Sequence, residues 1–231
     1  MIVSKSTGND IVALKGIDKQ RSNNAGFYSK ILSVSELALY CSQVFPEMPF
    51  ENFLWMLWSV KESVYKYRKR TVPGLIFSPA KIIVQQIVPP YNRRITKFEG
   101  AQWESGEAGS SEEFYRGTVL FESDIFHFRS KIHAEFISTV VNEAEDFENI
   151  RWGVKWIDHP GSDYQSSAVR AFVLNKLDLL ILSDCSDCLR IEKNAAGYPI
   201  VLKGAEEMGI PVSFAHHDHF IAYSFLLAIP H

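Results

Sequence analysis

Two charged side chains, Glu62 and Lys66, lie in a segment that is otherwise rich in large apolar residues. Apolar residues recur in this segment at intervals of three and four, which predicts a helix over residues 50–67. The recurring residues are Phe53, Leu57, Val60 and Val64. Glu62 and Lys66 are four residues apart and therefore share one face of the helix. Taken alone, such a stripe is either an exposed ion pair or the lining of a cleft.

Two further groups of polar residues favour the cleft. Asp10 lies in a short strand predicted over residues 8–14, and His216 lies just before the last predicted strand. Carboxylates such as Asp10 and Glu62 can hold a hard cation through oxygen ligands, with water and phosphate in the remaining positions. Lys66 and His216 can neutralise phosphate oxygens. This combination indicates chemistry on a polyphosphate substrate.

The helix also carries the pattern W-x-x-K-E-x-x-x-K, which resembles the signature of the phosphopantetheinyl transferases. Its fixed positions are Trp58, Lys61, Glu62 and Lys66. Residues 8–10 resemble the family's G-x-D motif and residues 27–32 the segment after it, in the chain order of the acyl-carrier-protein synthases. Residues 194–199 resemble the family's G-K-P turn, and residues 212–216 its S-x-S-H motif. Residues 168–172 resemble the helix that precedes the G-K-P turn in the larger family members.

The resemblance implies an α+β fold of the 4′-phosphopantetheinyl transferase type, with two similar lobes, antiparallel sheets and a cleft between the lobes. Residues 1–157 are expected to form the lobe with the G-x-D and K-E motifs. Residues 158–231 are expected to form the lobe with the other two motifs. The larger members of the family are two-lobed monomers in which the G-K-P and S-x-S-H motifs come first. Here the order is reversed, so we expect two lobes joined in the opposite order, and a monomer.

The resemblance also implies roles for individual residues. Asp10 and Glu62 are expected to hold Mg²⁺ against the pyrophosphate of coenzyme A, and Glu62 to take the proton of the attacking serine. Lys66 and His216 are expected to grip the phosphates, and Arg170 to reach the 3′-phosphate. The remaining residues expected to contact coenzyme A are Lys61, Ser213 and Tyr198. The predicted activity is magnesium-dependent transfer of phosphopantetheine from coenzyme A to a serine of an acyl or peptidyl carrier protein.

Three positions depart from the family's pattern. Val12 replaces an acidic residue of the larger family members, Tyr198 replaces the lysine of the G-K-P turn, and Ala215 replaces the second serine of S-x-S-H. The changes at Tyr198 and Ala215 bear on coenzyme A binding. They leave open a second hypothesis, a binding module of the same fold that holds coenzyme A or a carrier protein without transferring the group. A third, an unrelated α+β protein with surface ion pairs, would require several motifs to coincide.

Composition limits the remaining classes of function. The net charge of −3 argues against nonspecific nucleic-acid binding, and no apolar run is long enough to span a membrane. The first ten residues are polar, unlike a signal peptide, and three cysteines are expected to be reduced thiols. We therefore expect a cytoplasmic protein, with fatty-acid and lipid synthesis among the pathways that the carrier could serve.

Several polar groups have two interpretations each. Cys185 and Cys188 form an isolated C-x-x-C, which lacks the partners of a redox or zinc site. His217 and His219 are either solvated loop residues or metal ligands with His216. The basic run 68–70 either docks an acidic carrier protein or is a solvated helix end.

The elements around these residues follow from periodicity and turn residues. Residues 27–40 have a helical period with a capping box at Ser33 and Glu36. A second helix is predicted over 167–182, and a loop over 99–113. Strands are predicted over 82–88, 118–128, 131–141, 189–192 and 220–229.

Overall fold

The computed structural model describes residues 6–41, 48–91, 95–98, 100–104, 113–181 and 189–227. The α-helices in these ranges are α1 (Lys19–Ser22), α2 (Ala25–Tyr28), α3 (Val34–Cys41), α4 (Phe50–Lys69) and α5 (Ser162–Ile181). The first strands are β1 (Gly8–Ala13), β2 (Ile82–Val88), β3 (Gln102–Glu104), β4 (Tyr115–Phe121), β5 (Asp124–Ile132), β6 (Phe136–Asn142) and β7 (Ile150–Trp156). The last are β8 (Leu189–Lys193), β9 (Pro199–Lys203), β10 (Glu206–Glu207), β11 (Val212–His217) and β12 (Phe220–Leu226).

Helix α4 packs across a five-stranded antiparallel sheet with the order β1-β6-β5-β4-β2. The apolar residues that predict the helix are the ones that it buries against this sheet. They join a core cluster that includes Val12, Phe126 and Val141. The predicted helix over 50–67 is therefore confirmed and extends to Lys69, because its apolar period continues to the buried Tyr67.

A second antiparallel sheet has the order β11-β12-β7-β3, and helix α5 packs on it. A third, with the order β10-β9-β8, adjoins it. Strand β7 pairs with β12 from Trp156 opposite Phe220 to Ile150 opposite Leu226. The expected division at residue 157/158 therefore separates strands of one sheet. Strand β7, with β3 paired to its other edge, precedes the division in the chain and pairs with β12, which follows it.

Strand β1 connects the two sheets. It is the edge strand of the first sheet, paired with β6, and it also lies against β11 and β12 of the second. The backbone N–H of Asn9 donates to Ser213 Oγ at 3.2 Å, and the N–H of Ala13 donates to His217 Nδ1 at 3.3 Å. The G-N-D segment and the segment before the last strand therefore lie side by side.

The α+β class with antiparallel sheets is confirmed, whereas several boundaries differ from those predicted. The capping box is present: Glu36 accepts from the N–H of Ser33 at 2.8 Å, and Ser33 Oγ accepts from the N–H of Glu36 at 3.2 Å. The strand predicted over 118–128 is interrupted by a turn at Glu122, whose φ is 57°. None of the helices in the described ranges is long and apolar enough to cross a membrane.

Candidate active site

Asp10 reaches helix α4 because Gly8 lets strand β1 approach the helix backbone. A Cβ atom at Gly8 would lie 2.9 Å from the backbone nitrogen of Tyr67 and would collide with the carbonyl oxygen of Ser63. Only glycine fits this contact. Side chains alternate along a strand, so Asp10 points to the same side as Gly8 and meets α4.

Asp10, Lys66 and Glu62 form one connected cluster. Lys66 Nζ lies 2.9 Å from Asp10 Oδ1 and 3.3 Å from Glu62 Oε1, so one ammonium bridges two carboxylates. The other oxygen of Glu62, Oε2, accepts from Trp58 Nε1 at 3.0 Å. The Asp10 side chain is 6% exposed, whereas those of Lys66 and Glu62 are 23% and 29% exposed. The cluster is therefore buried at Asp10 and open at the other two residues.

Burial changes the proton affinities in this cluster. It raises the pKa of Asp10 from 3.8 to about 6; Lys66 opposes the rise and Glu62 adds to it. Burial alone would lower the pKa of Lys66, but Asp10 and Glu62 more than offset it, so this pKa is raised. The ammonium is thus held charged between the carboxylates.

The two carboxylates fit the requirements of a hard divalent cation. Asp10 Oδ2 is buried and has no hydrogen-bond partner among the described residues. A buried carboxylate oxygen without a partner is costly, and an oxygen-seeking cation is a partner that would satisfy it. Among the described residues there is no group of three His, Cys, Asp or Glu suited to a metal. Asp10 and Glu62 are two carboxylates that can hold such a cation, with water and phosphate completing its shell.

A cavity of about 290 Å³ opens beside Lys66. Among the described residues, its lining contains five basic residues and no aspartate or glutamate. The basic residues are Lys66, Lys69, Arg70, Arg170 and Lys193. Such an arrangement concentrates positive charge in one cleft and suits a ligand with several negative charges.

Five of the six residues predicted to contact coenzyme A line this cavity. They are Lys66, Arg170, Tyr198, Ser213 and His216. Arg170 Nη1 donates to the carbonyl oxygen and the Oγ of Ser166, at 3.1 and 2.8 Å, within helix α5. Burial lowers the pKa of His216, and the charge of Lys66 lowers it further. His216 is therefore neutral near pH 7 and can donate or accept a hydrogen bond.

The sixth, Lys61, lies in the core, and its predicted contact with coenzyme A is wrong. Its ammonium is fully buried and bonds to Glu36 Oε2 at 2.9 Å, to the carbonyl of Ile31 at 2.6 Å and to that of Pro79 at 3.1 Å. A helix turns by about 100° per residue, so Lys61 faces α3 and the segment before β2 while Glu62 faces the cleft. Lys61 has no route to a ligand in the cavity.

The three residues of the basic run 68–70 lie in two different surroundings. Arg68 pairs with Glu122 at 3.4 Å and with Asp124 at 3.1 Å. Lys69 and Arg70 line the cavity instead. Sequence reasoning missed Arg70 as a site residue, although its spacing of four from Lys66 is a signal that could have found it.

The remaining polar groups of the sequence do not join the cluster. His217 accepts from the N–H of Ala13, and His219 stacks on Trp156 with its Nδ1 2.9 Å from the carbonyl oxygen of Ile157. His217 is in strand β11 rather than in the loop predicted for it. Cys185 and Cys188 lie outside the described residues.

Comparison with known proteins adds one finding to this geometry. The family model of the 4′-phosphopantetheinyl transferase superfamily matches residues 6–119. The matched segment contains Asp10, Glu62 and Lys66, and so the whole carboxylate–lysine cluster. The searches of curated proteins and of solved structures found no match.

Proposed function

We propose that the chain is a 4′-phosphopantetheinyl transferase, as the family model that matches residues 6–119 indicates. It moves phosphopantetheine from coenzyme A to a serine of an acyl or peptidyl carrier protein. The reaction is magnesium-dependent and converts the apo carrier to the holo form, as in the holo-acyl-carrier-protein synthase type. The observation that carries this proposal is the Asp10–Lys66–Glu62 cluster at the edge of a cavity lined by five basic residues.

The cavity suits coenzyme A because this substrate is a polyanion with three phosphate groups. Lys66 and His216 lie where the cavity meets the carboxylates, so they bind the pyrophosphate oxygens. Lys66 neutralises negative charge as it accumulates on the leaving phosphate. Asp10 and Glu62 would hold Mg²⁺, which when bound supplies further neutralisation of that charge.

Glu62 is the proposed base. Its carboxylate is partly exposed, with one oxygen fixed by Trp58 and the other 3.3 Å from Lys66. The exposed side of the carboxylate would accept the proton of a serine hydroxyl, directly or through water. The serine oxygen forms a bond to the phosphorus next to the pantetheine. The bond from that phosphorus to the bridging oxygen breaks, and adenosine 3′,5′-bisphosphate leaves with the bonding electrons. The serine proton passes to Glu62.

Three further properties complete the proposal. The carrier is an acyl or peptidyl carrier protein, with those of fatty-acid and lipid synthesis as the first candidates. We propose that the enzyme acts as a monomer, because β1 and β11 bring the carboxylates and the cavity together within one chain. We place the reaction in the cytoplasm.

The test is mass spectrometry of apo carrier proteins incubated with the protein, coenzyme A and Mg²⁺. A gain of one phosphopantetheine that EDTA abolishes is the expected result. Glu62→Gln should lower the rate by about 10²- to 10⁴-fold while the protein remains folded, as a missing base does. Glu122→Gln is the matched control, because that glutamate lies at the β4–β5 turn and contacts only Arg68 among the residues described.

Two outcomes would contradict the proposal. If Glu62→Gln transferred as fast as the unchanged protein, Glu62 would not be the base. If no carrier gained mass while coenzyme A still bound, the protein would instead be a binding module without transfer activity.

A further inference from the structure

The side chain of Arg70 lines the cavity, and residues from other elements of the fold hold it in place. It follows the last residue of α4, and its Nη1 donates to the carbonyl of Val212 at 2.6 Å and to that of Pro199 at 3.2 Å. Its guanidinium carbon lies 4.7 Å from the ring centroid of Tyr198. These contacts come from two strands, β9 and β11, and from the turn before β9. They hold the side chain in one orientation before any ligand binds.

Arg70 forms no ion pair among the described residues, and the two oxygens that it bonds are neutral backbone carbonyls. The charge of Glu207 acts on Arg70 and raises its pKa, but Glu207 is not in the lining of the cavity. Burial lowers the pKa of Arg70, which is the sign of a cation deprived of water. An arginine stays charged under these conditions. A half-buried guanidinium that is held in place by neutral groups and faces a cleft is suited to binding a phosphate group in two-point contact.

The position of Arg70 relative to α4 indicates which phosphate group of coenzyme A it would bind. Glu62, Lys66 and Arg70 are four residues apart in turn, so they follow one stripe of the helix and its end. With a rise of about 1.5 Å per residue, Arg70 lies about 6 Å beyond Lys66 and about 12 Å beyond Glu62. The pyrophosphate of coenzyme A is held at the Glu62 end of this stripe. The ribose phosphate is separated from it by the sugar and belongs at the far end.

We propose that Arg70 binds the ribose phosphate of coenzyme A, with Tyr198 holding the guanidinium in place. The proposal rests on the proposed function of this cleft and assigns a specificity to one of its residues. Arg170 is the rival for this role, since it also lines the cavity and carries a guanidinium. Within the part of the chain that the structure describes, however, Arg170 is held only by Ser166 of its own helix. Arg70 is held by two strands and an aromatic ring.

The experiment is calorimetric binding of adenosine 3′,5′-bisphosphate and of adenosine 5′-monophosphate, which differ only in the ribose phosphate. The unchanged protein should prefer the bisphosphate. Arg70→Gln should weaken bisphosphate binding by about 10- to 100-fold and leave the monophosphate nearly unaffected, as expected for a charged hydrogen bond. Tyr198→Leu should reduce the preference by about 2- to 10-fold, the size of a cation–π contact.

Arg68→Gln is the matched control, because Arg68 is an arginine of the same helix that pairs with Glu122 and Asp124 outside the cavity. The Arg68→Gln protein should prefer the bisphosphate over the monophosphate to the same extent as the unchanged protein. If Arg70→Gln weakened both nucleotides equally, Arg70 would have only a structural role and the proposal would be overturned. Loss of preference in Arg170→Gln but not in Arg70→Gln would also overturn it. An unchanged protein that bound neither nucleotide would reject the proposed function as well.

Discussion

Replacing Asp10 by asparagine should stabilise the metal-free protein near neutral pH while abolishing its activity. Burial raises the pKa of Asp10 from 3.8 to about 6. A carboxyl group whose pKa is higher in the folded than in the unfolded state binds its proton more tightly when folded, so its ionisation opposes folding. Asparagine resembles the protonated acid in shape and cannot ionise. The Asp10→Asn protein therefore escapes the cost that the unchanged protein meets above pH 6.

The size of the effect follows from the two pKa values. At about 1.4 kcal/mol for each pKa unit, a rise of about two units corresponds to about 3 kcal/mol. The difference should be absent below about pH 4, where Asp10 is protonated in both states, and complete above about pH 6. Stability contributed by protonated Asp10 is thus lost as pH rises through this window.

The difference in free energy of unfolding between Asp10→Asn and the unchanged protein is measured by urea unfolding in EDTA, followed by circular dichroism. The measurements are made at about pH 4 and about pH 8, at the lower end of the titration range of Asp10 and above it. Asp124→Asn is the control, because Asp124 is an exposed partner of Arg68 and its removal should change stability by no more than about 1 kcal/mol. Equal stability of Asp10→Asn and the unchanged protein at the higher pH would refute the reasoning. So would a difference that persisted undiminished at the lower pH.

Two other substitutions test how the site is positioned. Gly8→Ala should destabilise the protein by about 1–3 kcal/mol and lower transfer activity, because a Cβ atom there collides with the carbonyl oxygen of Ser63. Gly16→Ala is the control in the same urea unfolding assay, because nothing lies within 4 Å of a Cβ atom at that position. Lys61→Met should cost about 3–5 kcal/mol because it leaves the Glu36 carboxylate buried without its charge partner. A Lys61→Met protein that unfolded at the same denaturant concentration as the unchanged one would contradict the structural role of this pair.

The α+β class, helix α4 and its polar stripe could be predicted because they depend on local periodicity. Spacing alone puts Glu62 and Lys66 on one face of the helix. In the structure, Lys66 Nζ lies 3.3 Å from Glu62 Oε1. Spacing could not show that Asp10 joins them, since that contact spans 56 residues and depends on β1 lying across α4. The resemblance to a family supplied this link, and the geometry agrees with it.

The errors come from contacts between distant segments. Lys61 belongs to the same motif as Glu62, yet its surroundings are set by Glu36, 25 residues earlier in the chain. The role of Arg70 depends on Pro199 and Val212, which are 129 and 142 residues away. Strand β7 was missed because Gly153 disfavours a strand locally. In the fold Gly153 is needed, since a Cβ there would lie 2.7 Å from the carbonyl oxygen of Trp103 on the neighbouring strand.

Helix α4 serves the core and the cleft at once, so its rotation about its own axis determines whether the site forms. A rotation by one residue, about 100°, would exchange Lys61 for Glu62 at the cleft. The apolar stripe alone would tolerate small rotations, because hydrophobic contacts have no preferred direction.

The hydrogen bonds of the Lys61–Glu36 pair, by contrast, are directional. Glu36 accepts from Lys61 and also from the N–H groups of Ser33, at 2.8 Å, and Val84, at 2.9 Å. Lys61 also donates to the carbonyls at Ile31 and Pro79. One buried pair thus satisfies four backbone groups from α3, β2 and the segments around them. An apolar replacement of both residues would leave those backbone groups without partners. We infer that this motif lysine fixes the rotation of α4, and through it the position of Glu62, without touching the substrate.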